Sequence, residues 1–221
     1  MKPLLDQVKW DDRGLCVAVV QDRLGGAVRM VAWMNREALE KTLETRRATF
    51  FSRSRNRLWV KGEESGHGLD VHEVVFDCDV DTLLVLVDPH GPSCHTGEES
   101  CFFEAAHGDE TRRIAPALPL LGELEREIES RKASDAGKSY TKSLLEGGPD
   151  RIGAKLREEA DELARAVAGE SDERVASEAA DVLYHAMVAL ASRGVPFRAV
   201  LAELSRRRGV SGHQEKLSRT K

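Results

Sequence analysis

No apolar run in the chain approaches the roughly 18 residues needed to span a bilayer. The first dozen residues, MKPLLDQVKWDD, are too acidic and too poor in apolar side chains to read as a secretory signal, so cytoplasmic residence is expected. Proline and glycine are sparse, at 7 and 18 in 221 residues, which excludes collagen and low-complexity disorder. There is no basic excess either: 33 Lys and Arg face 38 Asp and Glu, a net charge of −5 that argues against a general nucleic-acid binder. Cysteine is scarce, with four in all, and two disulfides do not suit a leaderless cytosolic chain. What remains is 41% hydrophobic and 32% charged, ordinary for a globular protein, with length for one large domain or two small ones.

The pattern favours two domains, 1–115 and 116–221. In the first, residues 14–21 and 27–33 are β-branched runs on either side of DRLGG and read as a hairpin. Asn35 is placed to cap a helix carrying Ala38, Leu39 and Leu43. Residues 48–62, 71–81 and 82–89 each read as a strand, giving a β-rich α+β domain. Residues 104–119 read as a linker. Beyond it the period is helical, with helices over 118–134, 151–169, 171–194 and 195–209, Ser171 as an N-cap and Pro196 near a start, giving an all-α domain.

Chemistry concentrates in the first half, which holds 15 basic and 20 acidic residues against 18 and 18 in the second. Cys16 lies in an apolar strand and reads as a small buried hydrophobe. Cys78, Cys94 and Cys101 fall in polar surroundings without a CxxC knuckle, so they suit a three-sulfur zinc site with an open position, where the metal makes water nucleophilic near neutral pH. His95 is a ligand, an acid/base group, or simply a surface histidine. In FDCDVD, an extended chain would put Asp77, Asp79 and Asp81 on one face, which suits Mg²⁺ or, more blandly, a solvated acidic strand edge. Arg53, Arg55 and Arg57 alternate in SRSRNR, so a strand would aim all three guanidiniums one way, toward a phosphate. Ser65, Gly66 and His67 form a polar turn.

MNREAL (34–39), SRSRNRLW (52–59), KGEESGH (61–67), DCDVD (77–81) and CHTGEESCF (94–102) together resemble phosphoribosyl-AMP cyclohydrolase over about residues 10–105. The resemblance implies zinc-dependent hydrolytic opening of the adenine ring between N1 and C6. It also implies an obligate homodimer with zinc ligands from both subunits: Cys78, Cys94 and Cys101 match the zinc positions, and Asp77, Asp79 and Asp81 the magnesium positions. Arg53, Arg55, Arg57 and His67 become substrate-binding candidates and His95 the catalytic one. Pro92 and Ser93 stand where small residues are expected before CHTG.

In the helical half, Leu156, Ala160, Leu163 and Val167 share one face, with Glu158, Glu159 and Glu162 as an acidic strip beside it. Alone, the strip is a solvated face. Glu178 and Asp181, however, head the apolar run DVLYHAMVALA, and carboxylates entering a core need a partner. Glu159, Glu162, Glu178 and Asp181 are therefore expected to form a carboxylate cage for Mg²⁺, with Glu158 contacting substrate. EExxE followed by ExxD resembles the all-α nucleoside triphosphate pyrophosphohydrolases, and SYTKSLLEGG (139–148) with SGHQEK (211–216) resembles phosphoribosyl-ATP pyrophosphohydrolase in particular. Arg157 stands where a small residue is expected. The resemblances imply two consecutive steps of histidine biosynthesis on phosphoribosyl nucleotides, with Zn²⁺ and Mg²⁺ and without nucleic acid or membrane. Rival readings are a metal-storing protein, an RNA-binding module stacking bases on Phe50, Phe51 and Trp59, and a pyrophosphohydrolase fused to a deaminase-like zinc domain.

Overall fold

The computed structural model describes residues 5–113, 119–133 and 139–208. The chain divides into two compact units, Met1–Pro119 and Leu120–Lys221. The expected domain boundary at 115/116 and the SGHQEK segment lie outside the described residues.

In the first unit, β1 (Leu15–Asp22) and β2 (Val28–Asn35) form the expected hairpin, paired antiparallel with Ala18 opposite Ala32. Asp22 closes the turn by accepting from the backbone N–H groups of Leu24 and Gly25. Asn35 then starts α1 (Arg36–Thr45), its side chain accepting from the Ala38 N–H at 2.8 Å. That bond occupies a donor with no partner inside the helix. Asn35→Ala is expected to destabilise this unit by about 1 kcal/mol, read as a lower urea midpoint of its unfolding transition.

The strand expected over 48–62 is instead a hairpin of β3 (Thr49–Ser52) and β4 (Arg57–Val60). Turn chemistry overrides the β-branched pattern here: Ser52 Oγ accepts from the Arg55 N–H, and Asn56 takes a left-handed φ of 48°. β5 (Leu69–Phe76) ends before the aspartates, and β6 (Thr82–Pro89) follows them. The main sheet has the order β2-β1-β6-β5, with β1 and β6 parallel and the outer pairs antiparallel. α1 and the β3–β4 hairpin lie between β2 and β5 in sequence, so they make the crossover that a parallel pair requires.

One face of this sheet carries the core. Cys16, Ala18, Val20, Met34, Leu83, Val85 and Val87 pack with Leu39 and Phe50, and Phe50 meets Trp59 at a centroid distance of 5.0 Å. The opposite face alternates with it and carries Val17, Val19, Val31, Trp33, Val75, Leu84 and Leu86, which stay partly exposed in the single chain. Residues 104–119, expected as linker, include a second small hairpin, β7 (Glu104–His107) with β8 (Glu110–Arg113).

The described part of the second unit is helical: α2 (Leu120–Ala133), α3 (Tyr140–Glu146), α4 (Gly148–Gly169), α5 (Asp172–Ser192) and α6 (Phe197–Arg207). Ser171 caps α5 through the Arg174 N–H, as its position suggested. The short α3, capped by Ser139, was not apparent from periodicity because seven residues give too few repeats. On α4 the buried line is Ile152, Glu159 and Ala166, while Ala160 and Val167 are exposed. The expected apolar face is therefore corrected: the packed side of α4 runs through Glu159, toward α5. α5 is not buried all round, since Leu183 stays 36% exposed. No described helix is long and apolar enough to cross a membrane.

Candidate functional site

Each unit brings one of the expected constellations together. In the first, Cys94 and Cys101 flank a short loop in which Cys94 N–H donates to the Glu98 carbonyl and Gly97 N–H to the Cys94 carbonyl. Thr96 Oγ1 donates to Cys94 Sγ at 3.1 Å, and His95 Nδ1 lies 3.9 Å from the same sulfur. Burial pushes the Cys94 thiol up, but the Thr96 hydroxyl, neighbouring N–H groups and Cys101 outweigh it, so its pKa falls below the ordinary thiol value. Partial desolvation, and then the adjacent Cys94 sulfur, push Cys101 up to about 11. Two adjacent sulfurs, one with a lowered pKa, are soft donors that fit zinc.

Cys78 does not join them. It sits exposed in the turn between β5 and β6, and among the described residues no three Cys or His groups converge in one chain. The same turn gathers Asp77, Asp79 and Asp81, whose ligand oxygens all lie within 4.8 Å of one another. The expected clustering is present, but the route is corrected: the segment turns instead of extending, with Val80 at a φ of 65°. Asp77 Oδ1 accepts from the backbone N–H groups of Thr82 and Asp81, both at 3.1 Å. Those bonds, the Thr82 one foremost, lower the Asp77 pKa. Three exposed hard oxygens fit Mg²⁺.

The arginine comb is likewise corrected. Arg53 leaves the hairpin turn to place its guanidinium 4.6 Å from the Trp33 ring centroid, Arg55 is exposed within the turn, and Arg57 is exposed at the start of β4. His67 lies partly buried against Gly91, where the Cβ of any other residue would meet the His67 ring. His95 is exposed.

In the second unit, ligand oxygens of Glu159, Glu178 and Asp181 lie within 4.8 Å of one another, drawn from α4 and α5. Glu162 lies close enough to Glu178 to act on it electrostatically, but it is not one of the three residues whose oxygens converge. Glu178 is 3% exposed, and this desolvation raises its pKa despite its ion pair with Arg174. Glu158 faces outward and pairs with Lys155 at 3.0 Å, and Lys155 also reaches Glu159 at 3.0 Å. A converging set of hard oxygens, two of them desolvated, fits a divalent cation.

Several neighbours of these sites were not singled out in the sequence. His185 is buried, donates from Nδ1 to the Asp181 carbonyl at 2.8 Å, and meets Tyr140 Oη at 3.0 Å through Nε2. It was hidden in an apolar run, although a histidine on such a face is itself a signal. Arg29 and Lys61 are buried beside the sulfur pair. Arg29 interrupts the apolar alternation of β2, and Lys61 directly follows β4.

Comparison with known proteins assigns both units. Residues 30–103 match the family described as phosphoribosyl-AMP cyclohydrolase, and residues 121–208 the family described as phosphoribosyl-ATP pyrophosphohydrolase. The chain is 45% identical over 226 residues to the histidine biosynthesis bifunctional protein HisIE of Wolinella succinogenes, covering 99% of each. It is 47% identical over 228 residues to the chloroplastic counterpart of Arabidopsis thaliana, covering 99% of this chain and 81% of that one. With HisIE of Parasynechococcus marenigrum the identity is 43% over 219 residues, covering 95% and 98%.

Proposed function

Because this chain belongs to the family of bifunctional histidine-biosynthesis proteins, with phosphoribosyl-AMP cyclohydrolase and phosphoribosyl-ATP pyrophosphohydrolase activities, we propose that its two constellations are the two active centres. The helical unit acts first, cleaving phosphoribosyl-ATP to phosphoribosyl-AMP and pyrophosphate. The sheet-containing unit then opens the adenine ring of that product by adding water at C6 and breaking the bond to N1. The observation that carries this reading is the separation of donor chemistry: soft sulfurs with one unit, a desolvated carboxylate cluster with the other.

Cys94 and Cys101 of one chain, with Cys78 of a second copy, would hold zinc; Asp77, Asp79 and Asp81 would hold magnesium, as would Glu159, Glu162, Glu178 and Asp181. When bound, zinc supplies the acidity that makes water nucleophilic near neutral pH, and magnesium neutralises polyphosphate charge. His95, exposed beside Cys94, moves a proton to the departing N1. Arg53, Arg55 and Arg57 at the hairpin tip bind the ribose phosphate, with His67 lining the same site. Glu158 and its partner Lys155 engage the nucleotide at the second centre.

Two features support a homodimer. Cys78 is exposed and apart from the other sulfurs, and one face of the main sheet presents seven apolar side chains, Val31 at 46% exposure and Val75 at 38% among them. The test is subunit complementation. Cys78→Ala and Cys94→Ala chains, each inactive in ring opening, are mixed under exchange conditions. A shared site leaves one intact composite centre in each heterodimer, so about half the parental activity per heterodimer is expected. No recovery in verified heterodimers would mean that each chain builds its own site.

A further inference from the structure

We propose that Arg29 and Lys61 are positioning residues of the sulfur site: Arg29 ties the two cysteine-bearing segments together, and both buried cations offset the negative charge of Cys94 and Cys101 when they ligate a metal. The inference rests on reading that site as a zinc centre and extends it to residues outside the set of proposed ligands.

Lysine and arginine are rarely buried without polar partners, and Arg29 is 7% exposed and Lys61 8%. Arg29 is tied to both sides of the site. Its Nε donates to Ser93 Oγ at 3.0 Å and its Nη2 to the Gly91 carbonyl at 2.8 Å, which fixes the backbone entering Cys94. Its own carbonyl accepts the Cys101 N–H at 2.8 Å, while Ser100 Oγ donates to the adjacent Val28 carbonyl at 2.7 Å. Two adjacent residues of β2, Val28 and Arg29, thereby set where both sulfurs start. Ser93, which departs from the small residue expected before CHTG, has its role here as the acceptor for Arg29.

Lys61 approaches from β4. Its Nζ donates to the His67 carbonyl at 3.2 Å, and among the described residues it has no carboxylate partner. Lys61 stands within electrostatic reach of Cys101 and Cys94. Three thiolates around a zinc dication leave one net negative charge, costly in a desolvated pocket unless cations stand near. Two are already in place. Supporting groups of this kind typically change metal affinity by about 10–100-fold.

The experiment uses the full chain and measures zinc affinity by competition with a chromogenic chelator, together with melting in zinc and in chelator. Lys61→Gln and Arg29→Gln are each expected to weaken zinc binding by about 10–100-fold and to shrink the rise in melting temperature that zinc produces. Lys61→Arg, which keeps the charge, is expected to retain more affinity than Lys61→Gln. Ser93→Ala removes one acceptor without a large cavity and is expected to weaken zinc by about 2–10-fold, which keeps the test available if Arg29→Gln fails to fold. Parental zinc affinity in the Lys61 and Arg29 variants would overturn the inference. So would a drop in melting temperature equal in zinc and in chelator, since that marks a structural role only. If the parent chain holds no zinc that Cys94→Ala releases, the zinc reading itself fails, and this inference with it.

Discussion

Cys94→Ala is expected to abolish ring opening while pyrophosphate release continues, so that phosphoribosyl-AMP accumulates from phosphoribosyl-ATP. Cys94 carries the sulfur with the lower pKa of the adjacent pair, held there by Thr96 Oγ1 and neighbouring N–H groups. It is the better thiolate donor of the two. Outer partners of a metal ligand are worth about 10–100-fold in affinity, so removing a direct sulfur ligand is expected to cost more than ~100-fold. The substitution leaves the second unit intact, because the carboxylate cluster draws on α4 and α5 alone. Zinc content, ring opening followed by absorbance, and released pyrophosphate are measured on one preparation. Parental ring opening in zinc-free Cys94→Ala protein would remove Cys94 from the metal site.

Where local chemistry decided the structure, the sequence was readable. Asn35 and Ser171 cap helices because each offers a side-chain oxygen to N–H groups two to three residues on, an interaction that depends on nothing distant. The two carboxylate clusters were legible for a similar reason, since a few residue types recur within short stretches. The failures have physical causes too. Alternation in SRSRNR and FDCDVD was read as strand, but Ser52, Asn56 and Asp77 each bond or bend their own backbone into a turn. The aspartates converge anyway, because a tight turn brings alternate residues together as an extended face would. Arg29 was not legible because its acceptors, Gly91 and Ser93, lie 62 and 64 residues away. The buried line on α4 differs from the expected one by about a quarter turn, since Glu159 faces Glu178, Asp181 and His185 of α5 and no apolar count registers that.

At the second centre, Glu178→Gln and Asp181→Asn are each expected to stop pyrophosphate release while conversion of added phosphoribosyl-AMP persists. Each swap preserves shape and removes one charge from a converging set whose oxygens lie within 4.8 Å of one another. Glu178 also allows a test in which structural and metal-binding roles give opposite signs. Desolvation raises its pKa, with Glu162 and Asp181 adding to the rise and the Arg174 ion pair only partly opposing it. A carboxyl whose folded pKa is raised favours folding in its protonated form, and that contribution is lost as pH rises through the folded value. At pH 7 without divalent metal, the ionised Glu178 therefore weighs against folding, and Glu178→Gln is expected to melt at or above the parent temperature. The difference should fade as pH falls below the ordinary carboxylate range, where the parent is protonated in both states. Adding Mg²⁺ should reverse the order, because a cation that binds only the folded parent raises its melting temperature and has less to hold in the variant. A Glu178→Gln protein that melts below the parent by the same margin with and without Mg²⁺, and still hydrolyses phosphoribosyl-ATP, would make Glu178 a structural partner of Arg174 and nothing more.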